Sequence, residues 1–279
     1  MLKYRLLSAV IMLSLVGAAV FLPPVFKLIA LLCICAVGMW EFYGILEKAG
    51  IGHYKFTGLA CGCLLIAVTW FGLQFGSHED AFALVLLMPA LILAVVLIRQ
   101  IFEKTDVKPL ETIGSTLLGV FFVAFFLNFI GILLVGWGDS EGRFLLIYMV
   151  VVVKSTDIGA YFAGCAIGRH KLIPRISPAK TWEGCAGGLL TAVAASLIFL
   201  SLASWNIGGM PVRWTDGVVL AFLLAMAGIM GDLAESMVKR AGGIKDSGQW
   251  ILGMGGLLDV IDSILFAAPI LFVYVFFIL

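Results

Sequence analysis

Five carboxylates (Asp232, Glu235, Asp246, Asp259, Asp262) and three cations (Lys239, Arg240, Lys245) crowd residues 231–263 of an otherwise apolar chain. Long apolar runs flank the segment on both sides, and ionisable groups beside or inside a bilayer are costly and mark functional sites. Acids gathered there repel one another unless a cation joins them. A small set of hard oxygen donors suits Mg²⁺, which keeps several waters and takes phosphate oxygens as further ligands. Asp232, Glu235, Ser236 and Lys239 recur at i, i+3, i+4 and i+7, and Asp259, Asp262 and Ser263 at i, i+3 and i+4, which gives each of two helices a polar stripe. Gly242, Gly243, Gly248, Gly253, Gly255 and Gly256 lie between them and let backbone approach a ligand closely. The plainer alternative is a solvated helix end whose charges pair among themselves.

Two further stretches carry polar chemistry. Residues 177–184 read Ser-Pro-Ala-Lys-Thr-Trp-Glu-Gly. Ser177 and Thr181 offer hydroxyls, Lys180 a point charge suited to phosphate, and Thr181 is placed to cap a helix starting at Trp182, whose N-terminus attracts anions. An ordinary basic loop on the cytoplasmic side is the bland reading. Upstream, Lys154, Asp157 and Tyr161 fall on one helix face. They either neutralise one another within a span or line a polar cavity.

The elements that must hold these groups are membrane helices. The chain has 279 residues, 62% hydrophobic and only 13% charged, against about a quarter charged in soluble proteins. The fold class is therefore an all-α polytopic membrane protein. Nine segments are long and apolar enough to span, near 4–22, 25–47, 56–76, 81–99, 112–137, 143–166, 182–204, 215–240 and 256–279. The first, preceded by Lys3 and Arg5, also has the form of a signal peptide. It is read as a retained span, because the next apolar run follows almost at once. The N-terminus and the connections after the second, fourth, sixth and eighth spans hold fourteen Lys and Arg, and the alternate connections three (Lys27, Arg143, Arg213). This excess places the N-terminus in the cytoplasm and the C-terminus outside. About five spans (1–140) then precede a C-terminal region of about four (141–279) that holds the chemistry.

Other functions are disfavoured. A net charge of +1 gives no polarity toward nucleic acid. His53, His78 and His170 lack metal-ligand spacing, no phosphate-binding G-x-x-x-x-G-K-[ST] occurs, and the six cysteines read as small buried apolar residues.

With these blocks in view, the chain resembles the phosphatidate cytidylyltransferase (CDP-diglyceride synthetase) family. The match rests on Ser236, Lys239, Arg240, Lys245, Asp246, Gly253, Gly255, Gly256, Asp259, Asp262 and Ser263. The 177–184 block and residues 157–161 (Asp-Ile-Gly-Ala-Tyr) are similar to the family's other two motifs, in matching order and spacing. Met254 and Val260 stand where the family has His and Arg, while the acids and the glycines around them are retained.

The resemblance implies that CTP and phosphatidate react to give CDP-diacylglycerol and pyrophosphate. Asp232 and Asp259 are then the expected Mg²⁺ ligands, one from each stripe. Asp246 and Asp262 are supporting groups or ligands of a second cation, and Lys239 acts with them. Ser177, Lys180, Thr181, Asp157, Ser236, Arg240, Lys245 and Asp262 are the expected substrate-binding residues. The expected partners are CTP, phosphatidic acid and membrane lipids; no nucleic acid is expected, and a homodimer is one assembly open to the chain. A bacterial inner membrane with the site facing the cytoplasm is the expected location. The alternatives are a CTP-dependent polyprenol or phytol kinase and, from another class, an ion-coupled transporter. The transporter fits less well, since no internal repeat is evident and the charges gather at one membrane face.

Overall fold

A computed structural model of the chain describes residues 21–76, 78–104, 108–207, 209–248 and 255–279. It is all-α apart from two small hairpins. Eight helical segments among the described residues are long and apolar enough to cross a membrane. The expected first span, near 4–22, and Met254 lie outside the described residues. The helices divide into two compact units. One comprises the chain up to Gly136 together with Val238–Val260, the other Trp137–Met237 with Ile261–Leu279.

In the first unit, α1 (Pro24–Lys48) starts with proline in its first turn and ends at Gly50, whose φ of 70° lets the Ile51 amide return to the Leu46 carbonyl. Helix α2 (Lys55–Phe75), α3 (His78–Ile101) and the segment α4 (Pro109–Gly119), a π-helical turn (Val120–Phe125) and α5 (Phe126–Val135) complete the unit. In lipid, apolar surface alone gives helices little reason to associate, so close packing and buried hydrogen bonds must do it. Tyr43 is the hub. Its hydroxyl donates to the Thr116 carbonyl (2.8 Å) and its ring stacks on His53, while a Cβ on Gly58 or Gly119 would strike that ring. Asn128 and Thr69, both buried, pair across α5 and α2 (3.2 Å).

In the second unit, α6 (Asp139–Ile167) and α7 (Trp182–Leu202) close on a seam of small residues. A Cβ on Gly188 would come within 2.8 Å of the Thr156 carbonyl and one on Gly184 within 2.9 Å of the Ala160 carbonyl; Gly159 faces Thr191 and Gly187 faces Ala163. The seam is that of small-x-x-x-small membrane helix pairs. Residues 169–180, expected as a loop, form a hairpin of β1 (Lys171–Ile173) and β2 (Ser177–Thr181) between these helices. A second hairpin, β3 (Asn206–Ile207) with β4 (Met210–Pro211), leads to α8 (Trp214–Ala241). Buried Tyr148 and Ser196 share a hydrogen bond (2.8 Å), and the Ser196 hydroxyl reaches the Gly217 carbonyl, tying α6, α7 and α8 together. Helix α9 (Leu258–Phe277) passes α8 so closely that a Cβ on Gly231 would lie 2.5 Å from the Asp262 carbonyl.

This packing gives a direct test. Gly188→Leu should lower the melting temperature sharply, since overpacking costs about 1–3 kcal/mol or more where backbone blocks the way. Gly44→Ala, where an added Cβ meets nothing within 4 Å, should be neutral or slightly stabilising in the same detergent melt, because alanine favours the helix. Of the cysteines, Cys35 and Cys61 are buried as expected, whereas Cys33 and Cys165 are exposed, as a surface in contact with lipid permits.

Candidate functional site

The second unit contains a cavity of about 410 Å³ built from α6, β2, α7 and α8. Asp157 and Tyr161 line it from α6, Ser177, Lys180 and Thr181 from the hairpin and helix start, and Asp232 from α8. One wall is therefore supplied by each polar stretch of the sequence. The small-residue seam makes this possible, because Gly164, Gly168 and Gly184 leave room for the Thr181 side chain. Thr181 caps α7 as expected: its buried hydroxyl accepts from the Gly184 amide at 3.1 Å. The hairpin is fixed from outside by Glu183, whose carboxylate accepts from the Arg169 and His170 amides and meets the His170 ring.

The electrostatics of the cavity are those of interleaved opposite charges. Lys180 Nζ lies 2.8 Å from Asp232 Oδ2 and also donates to the Ile229 carbonyl (3.4 Å). Ser236 donates to the other Asp232 oxygen at 3.2 Å. Lys154 pairs with Asp157 at 3.3 Å. Asp157 sits in the field of Asp232 and Lys180 as well. Asp262, buried in the same unit, accepts from the Ser263 amide and hydroxyl and senses Asp232, Asp157 and Lys154. Three carboxylates and two ammonium groups thus share one neighbourhood. In such a set the carboxylates could hold a cation and the lysines could meet a phosphate.

The other expected residues belong to the first unit. Asp259 accepts Lys239 Nζ on Oδ1 (2.5 Å), and on Oδ2 the Ser247 amide (2.9 Å), the Ser247 hydroxyl (2.8 Å) and the Gly256 amide (2.7 Å). Arg240, Lys245 and Asp246 are exposed, Arg240 donating to the Ile244 carbonyl (3.4 Å). Val260, where the family has Arg, is half-buried. Each expected metal-binding aspartate therefore has one oxygen on a lysine ammonium, Lys180 on Asp232 and Lys239 on Asp259. Among the described residues no three His, Cys, Asp or Glu side chains form a ready metal cage. The donor set still fits Mg²⁺, which needs only one or two carboxylates when phosphates and water complete its shell.

Glu41 of α1 and Ser247 had no place in the sequence reading. Glu41 is 4% exposed, and its carboxylate accepts from the Leu257 amide (3.0 Å), the Leu258 amide (2.8 Å) and the Ser247 hydroxyl (3.2 Å). The signal was present: an acid well inside an apolar span is a functional-site candidate in itself.

Residues 3–278 match the sequence model of the cytidylyltransferase family. A Haemophilus influenzae protein named phosphatidate cytidylyltransferase is 34% identical, with all of both chains aligned. Proteins of the same name from Brucella suis and Bacillus subtilis are 43% and 42% identical; the first aligns over 56% of this chain and 55% of its own, the second over 48% of each.

Proposed function

Because the chain belongs to the cytidylyltransferase family, we infer that it transfers the CMP group of CTP to phosphatidate, releasing pyrophosphate and forming CDP-diacylglycerol. The observation that carries this reading is the meeting of Asp157, Ser177, Lys180, Thr181 and Asp232 around one cavity in a protein of membrane helices. An oxygen of the lipid phosphate attacks the α-phosphorus of CTP, and the bond to the β-phosphate oxygen breaks. The lipid phosphate is already ionised, so no protein nucleophile is required. The obstacle is repulsion between two anions and the charge gathering on the departing pyrophosphate, which fixed cations offset in a site prepared for that charge.

Lys180 is suited to that task. Its ammonium stands among carboxylates at the cavity, 2.8 Å from Asp232, and is the charge that would meet an incoming phosphate. Ser177 and Thr181 offer hydroxyl hydrogens beside it, and Lys239, Arg240 and Lys245 are proposed as further phosphate-binding groups. Asp232 and Asp259 are the proposed Mg²⁺ ligands, with Asp157, Asp246 and Asp262 in support. Bound Mg²⁺ would supply Lewis-acid neutralisation of the triphosphate. The proposed location is a bacterial inner membrane, with the lipid substrate arriving from the bilayer and CTP from the cytoplasm.

The deciding experiment gives purified protein phosphatidate and α-labelled CTP. The expected product is a labelled liponucleotide, formed only with a divalent cation. A parallel incubation with γ-labelled CTP and a polyprenol that transfers the label to the lipid alcohol, with no liponucleotide in the first, would identify a CTP-dependent kinase instead and overturn the assignment. Orientation has its own test. Single cysteines at positions 175 and 245 should react with a membrane-impermeant reagent only from the cytoplasmic side, and one at the C-terminus only from outside. Opposite accessibility for 175 and 245 would exclude their blocks from serving one nucleotide.

A further inference from the structure

A buried acid of the first unit lies outside every motif, yet it holds the start of the helix that carries Asp259. Glu41 accepts the amides of Leu257 and Leu258, where α9 begins, so its carboxylate lies at the N-terminus of that helix, the end that favours negative charge. Its Oε2 also accepts the Ser247 hydroxyl, whose oxygen is 2.8 Å from Asp259 Oδ2 as well. A hydroxyl has one hydrogen, so Ser247 is shared between two carboxylates and ties the position of one to that of the other. Two glycines make space for this arrangement. A Cβ on Gly248 would come within 2.5 Å of Glu41 Oε1, and one on Gly256 within 2.5 Å of Oε2. Gly256, matched to the family motif by sequence alone, thus gains a physical reason: the Ser247 hydroxyl and a carboxylate from a distant helix occupy the place of its side chain.

We propose that Glu41 is a positioning residue for the cytidylyl transfer, which acts through Ser247 and the first turn of α9 to set the orientation of the Asp259 carboxylate. The proposal rests on the cytidylyltransferase reading and on the role given there to Asp259. Glu41 itself touches no substrate. Its carboxylate fixes Ser247 and the Leu257 and Leu258 amides, so a misdirected Asp259 is the consequence of its loss, and misplacements of about 1 Å cost on the order of a hundredfold in rate.

The test compares Glu41→Gln, Glu41→Asp, Ser247→Ala and the double variant Glu41→Gln/Ser247→Ala, each purified in detergent and assayed with CTP and Mg²⁺ varied independently. Glutamine keeps the shape but turns an N–H₂ group toward N–H donors. The expected result for Glu41→Gln is a kcat lower by roughly ten- to a hundredfold and a raised Mg²⁺ requirement, with KM for phosphatidate unchanged. Glu41→Asp should recover part of the loss. Ser247→Ala should lower kcat in the same way, and the double variant should be little worse than Glu41→Gln, because the two side chains act as one unit. A Glu41→Gln enzyme with wild-type kcat and Mg²⁺ dependence, or losses that multiply in the double variant, would overturn the proposal. If Glu41→Gln does not accumulate as folded protein, Ser247→Ala decides alone: unchanged kcat and Mg²⁺ dependence count against the proposal. Failure of the cytidylyltransferase reading is distinguishable, since the unaltered protein would then form no liponucleotide.

Discussion

Asp232→Asn is expected to remove nearly all liponucleotide synthesis while the protein remains folded in the membrane. The amide keeps the size of the carboxylate and its bond from Ser236, but it offers a hard cation no net charge. The loss should exceed the roughly 10–100-fold that follows removal of a group merely supporting a metal ligand. Lys180 then loses its anion and is drawn to the remaining acids, Asp157 in particular, so added Mg²⁺ should not restore the rate. Asp259→Asn should reduce activity comparably but with an added sign. Its Oδ2 gathers three hydrogen bonds from Ser247 and Gly256, so an amide there also loosens the loop and should lower the melting temperature. Steady-state rates across a Mg²⁺ series, with thermal melts of the same preparations, check both. A variant that keeps near-normal turnover at limiting Mg²⁺ carries no metal at that residue.

The second large effect is expected at Lys180. Lys180→Met keeps most of the side-chain volume and removes the charge that stands between carboxylates at the cavity. An incoming triphosphate then meets uncompensated acids, and the expected fall in kcat/KM for CTP is on the order of 10²–10³, the range for losing one fixed donor to developing charge. Lys180→Arg should recover little, since a planar fork does not replace a compact ammonium that contacts Asp232 and the Ile229 carbonyl. Stability gives an independent readout. Lys180→Met leaves Asp232 without its cation, whereas Lys180→Met/Asp232→Asn removes both charges. The double variant should therefore melt higher than the single lysine variant, although it should be no more active.

Much of this was legible in the chain because it is local. The helices announce themselves by length and apolarity, Thr181 by its place before a helix start, and the Lys154–Asp157 pair by a spacing of three. The hairpin at 171–181 was less visible, since Pro174 and Pro178 and a basic composition read equally well as an irregular loop, and only the clamp of Glu183 on residues 169–170 gives it a fixed edge. The assignment of Lys239 and Asp259 to one unit and of Lys180 and Asp232 to the other was not legible. Helical periodicity shows which face a residue takes, but not which helix it will meet. Glu41 was missed for a related reason. The motif region explained itself so fully that an isolated acid some 200 residues earlier drew no question, although its depth in an apolar span was the stronger physical anomaly.

The Glu41 clamp also constrains how the protein comes to be made. Ser247 follows Glu41 by 206 positions, and the whole second unit except its last segment is synthesised between them. At elongation rates of roughly 5–20 residues per second, the acid enters the bilayer about 10–40 s before the donors that will satisfy it exist. For that interval α1 carries a side chain unsuited to lipid and closed by nothing within the nascent chain's own later motif. A ribosome halted before Ser247 would thus leave an insertion intermediate whose weakest point is a helix completed long before, and quality-control machinery that recognises polar groups within the membrane has a time window in which to find it.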